Sequence, residues 1–134
     1  LGAAGGIAAA AVALLSATVK PGLAHILEAL GLEAQIARVD LVLTGEGKLD
    51  AQTLQGKVVH GLAQMAHRHG KPLGVISGSH SLSDVQLKAQ DFKAVYPLLR
   101  EGLSEADCME QAATLVAART AQLLHDHYGD QLNP

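Results

Sequence analysis

Aromatic residues are almost missing from this chain: it has one Phe, two Tyr and no Trp. That scarcity excludes the stacking platforms on which single-stranded nucleic acids lie. It also means that the core must be built from Ala, Val, Leu and Ile. Excess charge of one sign is missing too. Ten basic and 13 acidic residues leave a formal net charge of −3, which makes no electrostatic case for nucleic acid or an anionic membrane surface. Cysteine occurs once, at Cys108. A single cysteine excludes an internal disulfide framework and fits a reducing, cytoplasmic setting. No basic residue lies beside it in sequence, so it reads as a buried helix residue.

Histidine is plentiful, with seven copies, but no ligand set emerges. There is no H-E-x-x-H. His67 and His69 are two apart and point different ways on a helix, and His125 and His127 lie near the end of the chain. No Ser/His/Asp triad can be argued either, since nothing places a His beside a flanked Ser.

What is present is an ordinary globular balance, 49% hydrophobic and 17% charged over 134 residues, enough for one domain with a sizeable core. Residues 1–19, "LGAAGGIAAAAVALLSATV", are almost uncharged. Length alone would permit a membrane span. There is no basic segment before it, however, and small residues dominate, so it reads as a core helix of a protein that does not span a membrane. The chain starts at Leu1 and not at Met, at the edge of this apolar segment, which reads as a cut made inside a larger protein.

The pattern along the chain predicts a helix over residues 3–18, broken by "KPG", and a second helix carrying Leu23, Ile26, Leu27 and Leu30 that Gly31 stops. A helical turn follows at 33–37. "VDLVL", 39–43, predicts a buried strand. A polar loop leads to a helix over 51–69, with Leu54, Val58, Leu62, Met65 and Ala66 on its apolar face. "PLGVIS", 72–77, predicts a second strand. Ser83 caps a short helix to about 90, and "FKAVYPL", 92–98, predicts a third strand. Ser104 with Asp107 three residues on is a capping-box pattern. The last helix buries Met109, Ala112, Ala113, Val116, Ala117, Thr120, Leu123 and Leu124.

Strands alternating with helices imply a parallel α/β sheet with right-handed crossovers, a three-layer Rossmann- or flavodoxin-like arrangement. The expected division is 1–38, a helical segment with a glycine-rich start, and 39–134, a βαβαβα portion. Three strands make a thin sheet whose bare edges imply missing partner strands or self-association.

Sites in such folds lie at the carboxyl ends of strands. Here those ends are Thr44-Gly45-Glu46-Gly47 and Ser77-Gly78-Ser79, which could face one crevice. In "LTGEGKLDAQTLQGK", 43–57, Gly45 and Gly47 allow close approach of a ligand to the backbone. Glu46 and Asp50 could hold Mg²⁺ through oxygen or bind substrate hydroxyls. Lys48 and Lys57 could neutralise phosphate, Thr53 could add a hydroxyl, and N–H groups at the next helix start suit an anion. Such parts serve phosphoryl transfer, where catalysis is mostly positioning and charge stabilisation. The plainer reading stays open: a glycine-rich strand-to-helix turn is common, Asp50 could only cap the helix, and Lys57 could be solvated. The stretch is neither a Walker A loop nor G-x-G-x-x-G. "GAAGG", 2–6, could cradle an anion or serve close helix packing, and "SGSHS", 77–81, could line the crevice or be a polar turn.

"GAAGG" opening an apolar helix, then "KPG", "DLVLTGEGKLDAQTLQGK" and "HGKPLGVISGS" together resemble the bacterial glycerate kinase family of the type that forms 2-phosphoglycerate. The resemblance covers nearly the whole chain, with the block 44–57 its specific part. It implies ATP- and Mg²⁺-dependent transfer of the γ-phosphoryl group to a hydroxyl of D-glycerate, by a cytoplasmic two-domain α/β enzyme of which this chain would be the C-terminal portion. On its own, without the N-terminal part of the same enzyme, the chain would then be inactive. The matching positions are Gly5, Gly6, Thr44, Gly45, Glu46, Gly47, Asp50, Gln52, Thr53, Gly56 and Lys57. Lys48 stands where many members have Arg, and Ala8 where a further glycine is common. Glu46, Asp50 and Lys48 are the catalytic candidates, with Glu46 and Asp50 also the Mg²⁺ candidates; Gly78 and Ser79 join the binding set from the second strand end. A different class of function is a non-catalytic α/β module that binds a nucleotide or metabolite and acts with a partner chain, and a third is a structural piece that pairs with a chain supplying the missing strands.

Overall fold

The computed structural model describes residues 3–20, 22–51, 53, 58–90 and 92–132. The chain divides into two compact units, Leu1–Leu32 and Glu33–Pro134.

In the first unit, Ala4, Gly5 and Gly6 have φ of 52°, 67° and 81°. Three successive left-handed residues cannot belong to a right-handed helix, so α1 starts four residues later than the apolar pattern predicts and spans Ile7–Leu15. Ser16, at φ 52°, ends it in the same left-handed conformation. Helix α2 spans Gly22–Ala29. The expectation of a core helix is not met: α1 has no buried residue, and Leu14 and Leu15 are about 80% exposed, at 81% and 79%. Among the described residues no helix is long and apolar enough to cross a membrane.

The second unit opens with α3, Leu32–Ile36, and continues β1 (Val42–Leu49), α4 (Val58–Arg68), β2 (Leu73–His80), α5 (Asp84–Ala89), β3 (Ala94–Pro97), α6 (Glu105–Glu110) and α7 (Ala112–Leu132). The sheet order is β1-β2-β3 and both pairings are parallel. This is the expected α/β arrangement of a parallel sheet with flanking helices.

The two faces of the sheet follow from the central strand. Leu73, Val75 and Ser77 alternate with Gly74, Ile76 and Gly78. A Cβ on Gly74 would lie 2.8 Å from Leu123 Cδ1 of α7, so α7 packs on the Gly74 and Ile76 face. There Ile76, Leu98, Cys108 and Leu123 form a buried cluster. On the other face α4 contacts β1 and β2 and buries Val59, Leu62, Ala63, Met65 and Ala66. Val58, expected inside, is half exposed at 49%, because the buried stripe is rotated by one residue. Likewise the predicted last helix is two helices, broken at Gln111 (φ −101°, ψ 16°). Met109 therefore points away from the stripe that Leu123 anchors and is 82% exposed.

Short helices are held by their caps. The Ser83 hydroxyl accepts from Gln86 N at 3.3 Å while Gln86 Oε1 accepts from Ser83 N at 3.0 Å. At α6, Asp107 N donates to Ser104 Oγ and Asp107 Oδ2 accepts from Ser104 N at 2.9 Å. Those bonds to Ser104 hold the Asp107 carboxyl below its ordinary range. Glu33 of α3 receives Arg68 at 2.9 Å and His69 at 3.2 Å from the end of α4, and hydrogen bonding to Arg68, then His69, lowers its pKa.

Candidate functional site at the strand ends

The carboxyl ends of all three strands border one cleft of about 630 Å³. Residues 45–48 come from β1 and residues 76–79 from β2. Leu98 and Leu99 follow β3, and Glu105, Cys108 and Met109 come from α6. Two sequences expected as loops are thus strand ends. Glu46 pairs with Ser77, and Lys48 with Ser79. The physical reason lies at Gly78. A Cβ there would run into the carbonyl oxygen of Gly47. Only glycine lets the two backbones approach this closely, so the pairing continues through a polar run that reads as a loop.

Glu46 keeps its carboxylate near its own strand, with Oε1 accepting from Gly47 N at 3.2 Å. Asp50 and Thr53 close the turn after β1. Thr53 N donates to Asp50 Oδ1 at 3.0 Å and Asp50 N donates to Thr53 Oγ1 at 3.3 Å. The exchange has the reciprocal form of a capping box. The Thr53 hydroxyl hydrogen has two acceptors within reach, Lys48 O and Asp50 Oδ1, each at 3.2 Å. Thr53 is fully buried. It holds the turn that carries Lys48 and does not present a hydroxyl to the cleft.

The remaining candidates belong to the sheet, to the first unit or to residues outside the described ones. Thr44 pairs with Val75 within the sheet and does not line the cleft. Gly6 is the N-cap of α1 in the first unit, with Gly5 preceding it. Gln52, Gly56 and Lys57 lie outside the described residues. Ser77 borders the cleft, yet strand alternation puts its side chain on the α4 face, where Oγ is buried with no hydrogen-bond partner among the described residues. Leu98, Leu99, Glu105, Cys108 and Met109 were not singled out as site residues from sequence. One signal could have found the first two: they follow the third strand end, and the rule that sites lie beyond strand carboxyl ends applies to β3 as much as to β1 and β2.

The donor set bears on Mg²⁺ and phosphate. Among the described residues, no three His, Cys, Asp or Glu side chains converge on one point. A Mg²⁺ that bridges phosphates keeps several waters and needs only one or two carboxylates. Glu46, at the strand end that borders the cleft but on the strand face of Ser77, offers one carboxylate, whereas Asp50 Oδ1 is engaged by Thr53. Lys48 follows two residues on, on the same strand face.

Fold and strand-end cleft together define a Rossmann-like α/β protein with a cleft beyond the sheet. The glycerate kinase family model matches residues 1–127, and the chain belongs to the glycerate kinase family. It is 33% identical to a glycerate kinase of Halalkalibacterium halodurans over 86% of this chain and 30% of that protein. It is 34% identical to the glycerate kinase of Bacillus subtilis over 90% of this chain and 31% of that one. A glycerate 2-kinase of Escherichia coli is 46% identical over 58% of this chain and 20% of its own length. A crystal structure described as a candidate glycerate kinase 2 from Salmonella typhimurium LT2 superposes with a TM-score of 0.65 at 36% identity, over 97% of this chain and 33% of that one. The chain spans about a third of the length of the curated relatives it matches, 30% and 31% for the first and the Bacillus subtilis protein.

Proposed function

We propose that this chain supplies one half of the active site of an ATP- and Mg²⁺-dependent, cytoplasmic glycerate kinase that phosphorylates D-glycerate. The observation that carries the reading is that the glycine-rich ends of β1 and β2, residues 45–48 and 76–79, border one cleft beyond the parallel strands. The reaction moves the γ-phosphoryl group from ATP to a glycerate hydroxyl, whose proton is released, and ADP leaves. Glu46 and Asp50 are the carboxylates proposed for Mg²⁺, with Glu46 taking the larger share because Asp50 caps its own turn. Lys48 offsets charge on the transferring phosphoryl group as a point cation. Thr53 and Asp50 hold the Lys48 backbone in place. Gly5, Gly6, Gln52, Gly56 and Lys57 remain part of the proposed binding set.

In this proposal residues 39–134 form the Rossmann-like portion, while 1–38 belong to a second domain or the junction. The chain alone is inactive and is completed by the remaining part of a full-length enzyme. The test uses a chimaera in which this chain replaces the matching third of the Bacillus subtilis glycerate kinase. Glu46→Gln and Lys48→Met should each lower kcat there by about 10²-fold or more, the scale of losing one charge-stabilising group. Unchanged turnover in either variant would remove that residue from the mechanism.

A further inference from the structure

The cleft is far more apolar than either glycerate or a polyphosphate requires. Ile76, Leu98 and Cys108, at 8%, 6% and 7% exposure, form its buried part, and the more exposed Met109 and Val116, at 82% and 42%, form its rim. Among the described residues, Glu46 and Lys48 share the strand face of Ser77, which leaves Glu105 as the charged side chain on the helix side of the cleft, and a carboxylate does not draw a polyanion inward. The four strand-borne polar positions, Glu46, Lys48, Ser77 and Ser79, lie on β1 and β2, whereas the side contributed by α6, α7 and the chain after β3 carries aliphatic, thiol and thioether groups apart from Glu105. At about 630 Å³ the volume lies within the range of roughly 300–1,000 Å³ of small-molecule pockets, which are mostly apolar with a few polar groups.

We propose that the apolar side of this cleft, between Leu98, Leu99, Met109 and Val116, seats the purine ring of the nucleotide, leaving the phosphates outward toward the glycine-rich ends of β1 and β2. A flat, neutral heteroaromatic ring suits aliphatic walls, and a thioether such as Met109 adds a favourable sulfur–aromatic contact. Glycerate has no apolar group to place there. The choice of a purine among apolar ligands rests on the kinase reading; the apolar, non-cationic character of the cleft does not.

The chain has two methionines, Met109 on the rim and Met65 buried in α4 at 7% exposure. Methyl-¹³C-methionine labelling therefore gives one reporter in the cleft and one of fold integrity. Adenosine should shift the Met109 methyl saturably and leave Met65 in place, while inorganic tripolyphosphate should leave Met109 unmoved. Val116→Glu, on the half-exposed rim, should weaken the adenosine response at least tenfold with the Met65 signal unchanged. An unmoved Met109 under millimolar adenosine overturns the proposal. So does an equal response to tripolyphosphate, or a Val116→Glu chain that still binds adenosine normally. A chimaera in which Met109 is already shifted and ignores adenosine also overturns it, since protein would then cover the cleft. Loss of the adenosine response with an active chimaera refutes the purine placement alone, and a normal response with an inactive chimaera refutes the kinase reading alone.

Discussion

Replacing Gly78 by Ala tests the reason that a polar, glycine-rich run forms a strand. The new Cβ would meet the Gly47 carbonyl oxygen on the paired strand. That atom is backbone, so the strain cannot be relieved by a side-chain rotation, and β1 must move away from β2. Overpacking of this kind costs about 1–3 kcal/mol, and a backbone obstacle puts Gly78→Ala near the top, about 2–3 kcal/mol. For a chain of this size, thermal unfolding followed by circular dichroism should then fall by about 8–12 °C. Two neighbouring glycines calibrate the effect. A Cβ on Gly74 meets Leu123 Cδ1 at 2.8 Å and Leu43 Cδ2 at 2.9 Å. Both are ends of side chains, which can give, so Gly74→Ala should cost about 1–2 kcal/mol. A Cβ on Gly47 meets nothing within 4 Å, so Gly47→Ala should lie within about 0.5 kcal/mol of the parent. If Gly78→Ala unfolds within about 2 °C of Gly47→Ala, the close approach of the two backbones is not what ties β1 to β2, and the reasoning fails.

Thr53→Val removes a fully buried hydroxyl and leaves Asp50 N without its Thr53 acceptor; unfolding should cost about 1–3 kcal/mol. Thr53→Ser should keep the bonds and lose only a buried methyl, about 1 kcal/mol, and an equal loss in both variants would refute the capping role. Burial, reinforced by the Asp126 carboxylate that accepts the Tyr96 hydroxyl at 2.7 Å, pushes Tyr96 up to about 12. A group with a raised folded pKa contributes stability fully below its ordinary value of 10.0, lost as pH climbs through about 12. Ultraviolet titration should therefore show one late-ionising tyrosine, and Asp126→Asn should bring it down. The Glu33 clamp has the opposite sign, since its carboxyl is depressed from 4.5 by Arg68 and His69. Its contribution is present above that value and lost on acidification, so Glu33→Gln should flatten the acid limb of the unfolding curve.

Much of the second unit was legible in the sequence because its signals are local. The short apolar runs marked β2 and β3 to within a few residues, and Ser83 and Ser104 announced their helices through side chains three residues away. The alternation of elements was enough to imply a parallel sheet. What failed depended on partners that local patterns do not name. Residues 44–49 are polar and glycine-rich, so nothing within them says strand; the pairing comes from Gly78, about thirty positions on. Residues 3–6 looked helical because small residues permit a helix, yet Ala4, Gly5 and Gly6 are left-handed. Hydrophobicity alone put α1 in a core, whereas α1 has no buried residue. Of the residues that border the cleft, Glu46, Lys48 and Ser79 could be named from residue type and strand-end position. Thr53 could not be assigned to its buried, turn-holding role, because exposure is a tertiary property. The apolar side of the cleft was read as core from its helical spacing, and only the break at Gln111 turns Met109 outward.

The central claim is that this chain carries half of a glycerate kinase site. The most direct test is ADP formation from Mg-ATP, with and without D-glycerate, by this chain alone and by the chimaera with the rest of the Bacillus subtilis enzyme. The account predicts ADP that depends on glycerate from the chimaera and none from the chain alone. A folded chimaera that forms no glycerate-dependent ADP would contradict it.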